Sequence, residues 1–324
     1  MRVKKIYLYS VFSSVFVYLF TSYFAGANFS ENYEASSYFN DQEKYINIWN
    51  LIQNKNFFDA FAWYKSKFAS QEIVHFFYIH FTSLIGLTKN VSMSLANSII
   101  VFFLLNLIYK HFKPSIFVII LIVSNSYLFS YFFVLERMKF AMLFFVLMMY
   151  FYENQKLRFV FFTLSFLSHF SLLILYVIFY ISKFNDKKFF FNFNFKYKEK
   201  NLNNNYFLFL FIILFMIFFY DHLIIKSHQL FHSNYLLSII NSLKVLVFLI
   251  LTFLVSKKNN IEEILIQFIP LIFASYIIEP SRIVSFAFFL FIYHCIKNKD
   301  NKISTPLMIS SLIYFSFKTL YRFI

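Results

Sequence analysis

Long apolar runs follow one another along most of this chain, and they restrict its fold more than any other feature. Each run is close to the roughly 20 residues that an α-helix needs to cross a bilayer. Hydrophobic residues make up 60% of the chain and charged residues only 14%, too few to cover a water-soluble surface. We therefore predict an all-α, polytopic integral membrane protein with about 10–12 transmembrane helices. The predicted spans are 6–24, 91–109, 115–135, 138–152, 157–181, 205–220, 236–255, 262–278, 282–296 and 305–321.

The chain contains no evident internal repeat, and we predict a single membrane domain over residues 1–324. Its first apolar run follows a basic start and is longer than the apolar part of a signal peptide, which favours an uncleaved anchor. The next segment, 28–72, is then an exported loop. It is acidic, whereas 183–200, 257–258 and 297–302 are rich in lysine and belong to the cytoplasmic side. The net charge of +15 is explained in the same way, without a nucleic-acid partner.

Two arrangements of the spans are possible, and they differ in the segment 73–87. If 73–87 crosses the membrane, four basic residues fall on the exported side, against the positive-inside rule. If 73–87 lies in the outer interface and 157–181 is a re-entrant hairpin of two short helices, all four move to the cytoplasmic side. These residues are Lys110, Lys113, Lys156 and Arg158. The second arrangement is favoured, although re-entrant backbone requires a protein bundle or a wet cavity around it.

The favoured arrangement breaks the hairpin near Ser168 and His169. His169 then lies at the tip of a buried turn, and Arg137 lies at an outer helix end. Both residues face the exported compartment, so we expect them to share one cavity. The exceptions to the positive-inside rule that remain on the exported side are Lys89, Arg137, Lys139, Arg282, Lys318 and Arg322.

The rarity of glycine, cysteine and paired aspartate excludes several classes of site. Gly26 and Gly86 are the only glycines, so neither a G-x-G-x-x-G fingerprint nor a Walker A loop can occur. The lone Cys295 excludes internal disulfides and cysteine zinc sites. The aspartates lie far apart, so a D-x-D metal and sugar-nucleotide site is absent. We predict no metal and no cofactor.

Arg137 and Arg282 are the arginines with the strongest claim to a function. Each lies near a glutamate where two apolar runs meet, and charges this close to a bilayer tend to mark a substrate path. A local ion pair at a helix end is the alternative. A guanidinium binds phosphate through planar, bidentate hydrogen bonds, so we expect these arginines to hold a lipid-linked phosphate or diphosphate.

Glu72 and His169 are the candidates for proton transfer. Glu72 closes the acidic loop just before 73–87, where a carboxylate either caps a helix or acts as a general base. His169 lies among apolar and hydroxyl side chains; it is either a satisfied core residue or a proton carrier and sugar ligand. Lys244 lies midway along an apolar run, where it needs a carboxylate, carbonyl or phosphate partner. A structural role and a substrate-binding role are equally open for it.

The order of these residues resembles the EpsG-like family of polysaccharide polymerases. The resemblance rests on Glu136-Arg137-Met138-Lys139-Phe140-Ala141, followed by an apolar helix and then by Ser168-His169-Phe170-Ser171. Glu72 before an aromatic-rich segment, Asp41 with Tyr45 in the exported loop, and Arg282 in a late span also match. The likeness covers residues 36–182 with fair spacing and 262–296 loosely.

The resemblance implies a Wzy-type polymerase of O-antigen, capsule or exopolysaccharide. Such an enzyme transfers a glycan from undecaprenyl diphosphate onto a lipid-linked repeat unit at the outer face of the bacterial inner membrane. Glu72, His169 and Arg137 would be catalytic, and Arg282, Asp41, Tyr45 and Lys244 would bind substrate. We expect metal-independent, inverting transfer, with a flippase and a chain-length regulator as further partners. A lipid-linked oligosaccharide flippase, another transporter, a non-catalytic assembly subunit and an O-acetyltransferase are the alternatives.

Overall fold

The computed structural model describes residues 2–24, 38–53, 55–68, 72–133, 135–169, 172, 176, 235–256, 260–277 and 280–321. Within these ranges the regular structure is entirely α-helical, as predicted. The helices are α1 (Arg2–Phe24), α2 (Tyr38–Ile52), α3 (Phe57–Phe68), α4 (Ile73–Leu84), α5 (Lys89–Phe112), α6 (Ile116–Val123), α7 (Ser126–Phe133), α8 (Glu136–Tyr150), α9 (Gln155–Ser168), α10 (Tyr235–Val255), α11 (Ile261–Ile277), α12 (Pro280–Lys297) and α13 (Ser304–Tyr321).

The chain divides into two compact units. The first comprises residues 1–172 and 309–324, and the second comprises 173–308. That they form one membrane domain stays a prediction. In the part of the chain that is described, α1 and α5 are long and apolar enough to cross a membrane, and the α6–α7 pair is a third candidate if it counts as one span. The other predicted spans coincide with helices that do not meet this criterion or lie outside the described residues.

The helices of the first unit have two distinct ends. Lys89 Nζ at the start of α5 lies 2.8 Å from Glu136 Oε1 at the start of α8. Lys110 Nζ near the end of α5 lies 3.3 Å from Glu153 Oε1, just after α8. The two helices therefore run in the same direction. We call these two ends of the unit the Glu136 end and the Glu153 end.

The basic residues Lys110, Lys113, Lys156 and Arg158 all belong to the Glu153 end. Lys113 follows α5 within three residues of Lys110, and α9 begins directly after the α8–α9 turn that carries Glu153. The α1 helix also begins at this end, because the side chains of Tyr7 and Tyr150 share a hydrogen bond there. The second sequence-based arrangement predicts this common placement.

The α4 helix begins and ends at the Glu136 end. Its 12 residues extend for about 18 Å, too short to cross a bilayer. Glu72 immediately before it contacts Arg137 on α8, and Lys89 soon after it contacts Glu136 on the same first turn of α8. The segment 73–87 therefore lies across this end of the unit, which is also what the second arrangement predicts.

The turn from α4 to α5 requires its glycine. Gly86 N donates to Ser83 O at 3.1 Å, and Leu87 N donates to Thr82 O at 3.1 Å, the hydrogen-bond pattern of a Schellman cap. Gly86 has φ +76°, a conformation that a side chain disfavours. The next helix starts at once, because Thr88 caps α5 by accepting from Val91 N at 3.4 Å.

A helix ends inside two of the predicted segments, one expected to be continuous and one expected to break. The predicted span 115–135 is divided between α6 and α7, whose axes differ by 48°. Asn125 Oδ1 accepts from Tyr127 N at 2.9 Å, so an asparagine side chain replaces a backbone acceptor and starts a new helix. The predicted hairpin 157–181 breaks as expected, since α9 ends at Ser168 and His169 has extended backbone. Its second arm lies outside the described residues.

The second unit is held together by α10, α11 and α12. The hydroxyl groups of Ser242 and Ser275 hydrogen-bond across α10 and α11. Buried His294 Nε2 shares a 2.7 Å hydrogen bond with Gln267 Oε1 between α11 and α12. Close packing at small residues and buried polar contacts between helices are typical of membrane proteins.

The Schellman turn can be tested with Gly86→Ala. No atom lies within 4 Å of the position that a Cβ would take, so the cost is conformational and not steric. We expect the free energy of unfolding to fall by about 1–2 kcal/mol, measured by thermal denaturation in detergent. Gly86→Asn, whose side chain tolerates this conformation better, should lose less. Equal stability of Gly86→Ala and the wild type would contradict the assigned role.

Candidate functional site

Four helices bring polar side chains together at the Glu136 end of the first unit. Glu72 lies at the start of α4, Arg137 in the first turn of α8, His169 at the end of α9 and Tyr45 on α2. We call these four residues the Glu72 cluster. A single hydrophobic core that includes Ile48, Trp49, Ala60, Phe76, Ile79, Met93, Ala96 and Phe140 supports the surrounding helices.

Glu72 and Arg137 form an ion pair that is largely removed from solvent. Arg137 Nη1 lies 3.1 Å from Glu72 Oε2, and each side chain is 13% exposed. Arg137 Nε also donates to the hydroxyl of Tyr45 at 2.8 Å, which joins residues 92 positions apart. Tyr45 thus fixes the guanidinium from the α2 side while Glu72 holds it from α4.

His169 completes the cluster on the opposite side of the carboxylate. Its Nε2 lies 3.4 Å from Glu72 Oε1, and its side chain is 11% exposed. It occupies the C-cap position of α9, where its backbone N–H donates to Ser165 O at 3.3 Å. One glutamate therefore contacts an arginine through one oxygen and a histidine through the other. A carboxylate placed so holds an imidazole in a fixed orientation and stabilises its protonated form.

The side chain of Glu72 does not cap its helix, and the ion pair of Arg137 with Glu72 is not a local one at its own helix end. Glu72 occupies the N-cap position of α4, but its side chain makes no capping hydrogen bond. Arg137 pairs with Glu72 across the fold, whereas its neighbour Glu136 pairs with Lys89. These side chains are therefore directed towards one another and do not serve their own helix ends.

Sequence reasoning missed a second layer of polar residues next to the cluster. The Lys89–Glu136 pair is at least as buried as the Glu72–Arg137 pair. Lys139 is completely buried and donates to the carbonyl of Phe132 at 3.0 Å, near the end of α7, where a cation is favoured by the helix dipole. Lys89, Arg137 and Lys139 are all exceptions to the positive-inside rule, and that shared property was the signal that could have identified this layer.

Tyr64 on α3 and His75 on α4 lie next to the Glu72 cluster. Tyr64 OH on α3 lies 2.9 Å from His75 Nδ1 on α4, and the Tyr45 and His75 rings meet edge to face with centroids 5.6 Å apart. Burial, and then the positive charges of Arg137, Lys139 and Lys89, lower the pKa of His75 well below its usual value. His75 is therefore neutral at pH 7 and acts as a hydrogen-bonding partner instead of a cation.

The remaining predicted substrate-binding residues belong to the second unit or have side chains outside the described part of the chain. The backbone of Asp41 belongs to α2, and its side chain lies outside the described part of the chain. Arg282 and Lys244 belong to the second unit. Lys244 Nζ donates to Asn241 Oδ1 at 2.9 Å on its own helix. Arg282 O accepts from Ser285 Oγ at 2.6 Å. Their predicted roles as phosphate or substrate ligands stay predictions.

No group of three or more His, Cys, Asp or Glu side chains that could hold a metal ion occurs among the described residues. Searches of protein-family models, curated proteins and solved structures return no match to this chain.

The Glu72–Arg137 pair makes a testable contribution to stability. Glu72→Ala or Arg137→Ala alone should destabilise the protein by about 3–5 kcal/mol, because each leaves an uncompensated buried charge. The double variant should lose much less than the sum of the two. A double-mutant cycle from denaturation in detergent measures this coupling.

A matched control is available at the other end of the unit. Lys110 and Glu153 also form an ion pair, but their side chains are 43% and 85% exposed. The cycle with Lys110→Ala and Glu153→Ala should give a coupling below about 1 kcal/mol. Similar coupling for the two pairs would show that burial does not distinguish them.

His75 predicts a dependence of stability on pH. An unfolded histidine takes up a proton near pH 6.5, whereas the buried ring has a lowered pKa and resists protonation. The unfolded chain therefore binds more protons, and stability falls as the pH drops below about 6.5 by up to about 1.4 kcal/mol per unit. His75→Asn, whose amide can still hydrogen-bond with Tyr64, should remove this contribution when unfolding is followed between neutral and acidic pH. An unchanged dependence in the variant would contradict it.

Proposed function

We propose that this chain is an integral-membrane glycan polymerase of the EpsG-like, Wzy type. Its substrate would be an oligosaccharide on undecaprenyl diphosphate, and its reaction would be inverting transfer onto a second lipid-linked unit without a metal ion. The observation that carries the proposal is the Glu72 cluster: Glu72, Arg137, His169 and Tyr45 come from separate segments of the sequence and meet in contact.

His169 is the group best placed to take a proton from the acceptor hydroxyl. Glu72 already receives contacts from Arg137 and His169 through both oxygens, so it is a poor proton acceptor but a good support for an imidazolium. As the acceptor oxygen forms its bond to the anomeric carbon, the hydroxyl proton passes to His169. The bond from that carbon to the diphosphate breaks at the same time, and undecaprenyl diphosphate leaves.

Arg137 would stabilise the departing diphosphate. A guanidinium offers five N–H donors in one plane and keeps its charge at any working pH. Tyr45 and Glu72 hold Arg137 in one orientation, so little ordering is needed when phosphate binds. Charge that develops on the leaving group meets a cation already in place, which is the usual source of electrostatic catalysis. Arg282 is proposed as a second phosphate ligand.

The basic residues at the Glu153 end indicate which side of the membrane each end of the proposed enzyme would face. The Glu153 end carries Lys110, Lys113, Lys156 and Arg158, and the positive-inside rule assigns such an end to the cytoplasm. The Glu72 cluster at the opposite end would then face the periplasm or the exterior. We propose the bacterial inner membrane as the location, with several crossings of the bilayer by the helices of both units.

The proposal can be tested by complementing a deletion strain with point variants. Arg137→Ala, His169→Asn and Glu72→Gln should each leave single repeat units on the cell surface in place of long chains. Loss of a positioned acid–base group lowers rates by about 100- to 10,000-fold, enough to remove the polymer from a gel of surface polysaccharide. Immunoblots establish that each variant is present at the normal level.

Arg158→Gln is the matched control. Arg158 lies at the Glu153 end, packs on the Tyr152 ring at 4.9 Å and donates to the Tyr152 carbonyl, so its loss should leave long chains intact. Accumulation of units on the cytoplasmic leaflet in the deletion strain would indicate a flippase instead. Long chains in all three cluster variants would contradict a catalytic role and favour an assembly subunit.

A further inference from the structure

The α3 helix exposes an aromatic and basic face that the proposed reaction does not use. Trp63 is 41% exposed and Phe58 is 81% exposed. The ammonium groups of Lys55 and Lys67 lie 5.1 and 5.5 Å from the centre of the Trp63 ring. Lys65 is also exposed on this helix. We call Trp63 and the two lysines beside its ring, Lys55 and Lys67, the Trp63 face.

The α3 helix, which carries the Trp63 face, also packs against an apolar stripe on α4. Phe57 at the start of α3 contacts Phe77 on α4, with ring centroids 5.3 Å apart. Phe77 is the first member of a row of exposed side chains that continues through Phe81, Leu84 and Ile85. The opposite side of α4 is buried and carries His75, Phe76, Ile79 and His80. The outer side of the helix is therefore apolar although exposed, whereas its buried side mixes apolar and polar side chains.

The exposed stripe leads directly into a membrane-spanning candidate. Ile85 belongs to the Schellman turn that connects α4 to α5, and α5 is long and apolar enough to cross a bilayer. Exposed Leu95 continues the apolar surface on α5. Acyl chains that surround the start of α5 therefore also cover the outer side of α4, which is too short to cross.

We propose that the Trp63 face binds the phosphate headgroups of anionic phospholipids in the leaflet at the Glu136 end. Tryptophan concentrates at the boundary between water and lipid because its ring is apolar and its N–H is polar. Lysines on its two sides supply the charge that anionic headgroups attract, with long apolar stems beside the ring. The α3 helix rests on the bilayer surface, anchored beside α4 and not surrounded by water.

The charges on the face favour lipid over a protein partner. Lys55 just before α3 and Lys65 and Lys67 on it outnumber the single exposed acid on this helix, Asp59, which accepts a 2.7 Å hydrogen bond from Asn56. An interfacial helix combines such a basic polar part with large exposed apolar side chains. This inference stands on the helices next to α5 and holds whether or not the chain polymerises a glycan.

Tryptophan fluorescence provides a sharp test because the chain contains only two tryptophans. Trp49 is 3% exposed within the core, and its Nε1 has no hydrogen-bond partner among the described residues, so Trp49→Phe removes no hydrogen bond that the structure describes and leaves Trp63 as the sole reporter. The full chain is placed in nanodiscs of phosphatidylcholine and phosphatidylglycerol. The phosphatidylcholine carries bromine either near the headgroup or near the end of the acyl chain.

We expect Trp63 in the Trp49→Phe variant to be quenched more strongly by bromine near the headgroup than by bromine near the chain end. In the matched Trp63→Phe variant, buried Trp49 should be quenched less by either lipid. If Trp49→Phe does not fold, the difference between wild type and Trp63→Phe reports the same quantity. Emission from Trp63 that iodide in water quenches freely and brominated lipid does not would overturn the proposal.

A separate quenching experiment tests the role of the lysines. Lys55→Gln with Lys67→Gln should reduce lipid quenching of Trp63 in discs that contain phosphatidylglycerol, and should have little effect in discs of phosphatidylcholine alone. Equal quenching in wild-type and double-variant protein with anionic lipid would overturn headgroup binding by these lysines. A Trp63 face that becomes protected only when a soluble partner is added would instead identify that face as a protein interface.

Discussion

The ion pair between Glu72 and Arg137 is the contact that determines the arrangement at the Glu136 end. Two charges removed from water are stable only while each faces the other with good geometry. That requirement holds the start of α4 against the start of α8, and the Tyr45 hydroxyl extends it to α2. His169 then reaches the same carboxylate from α9. A single carboxylate therefore sets the relative positions of four helix segments.

The charges that the structure describes around this pair do not cancel. Among the described side chains, Lys89, Arg137 and Lys139 are opposed by Glu72 and Glu136, an excess of one positive charge in a region with little solvent. Neutral His75 adds none. An excess of cations in a poorly hydrated region attracts an anion more strongly than the same charges would in water. In the proposed function, affinity for a phosphate group would be a property of the whole layer, with Arg137 as the proposed contact.

Much of this end was predictable from residues that break a pattern. Arg137 and His169 were identified because charge and imidazole are costly near a bilayer, and Glu72 because it separates an acidic loop from an apolar segment. The placement of 73–87 followed from the side to which Lys110 and Lys113 belong. The bend at Asn125 was not predictable in this way. The Asn125 side chain caps the start of α7, and the chain bends there, whereas hydropathy alone describes 115–135 as one span. The sequence also did not indicate which lysine pairs with which glutamate, because Lys89 and Glu136 come into contact only when α5 and α8 pack together.

A hydrogen bond joins α9 to α8 one helical turn before His169, and we call it the α8–α9 joint. Ser165 Oγ donates to the backbone carbonyl of Ala141 at 2.7 Å, a close approach that only small side chains permit. His169 lies one helical turn beyond this joint, and Arg137 lies about one turn before Ala141 on the neighbouring helix. Sliding of one helix along the other would lengthen the His169–Glu72 contact at once. A change in the tilt of either helix, such as lateral pressure or bilayer thickness produces, would therefore act on the His169–Glu72 contact through this joint.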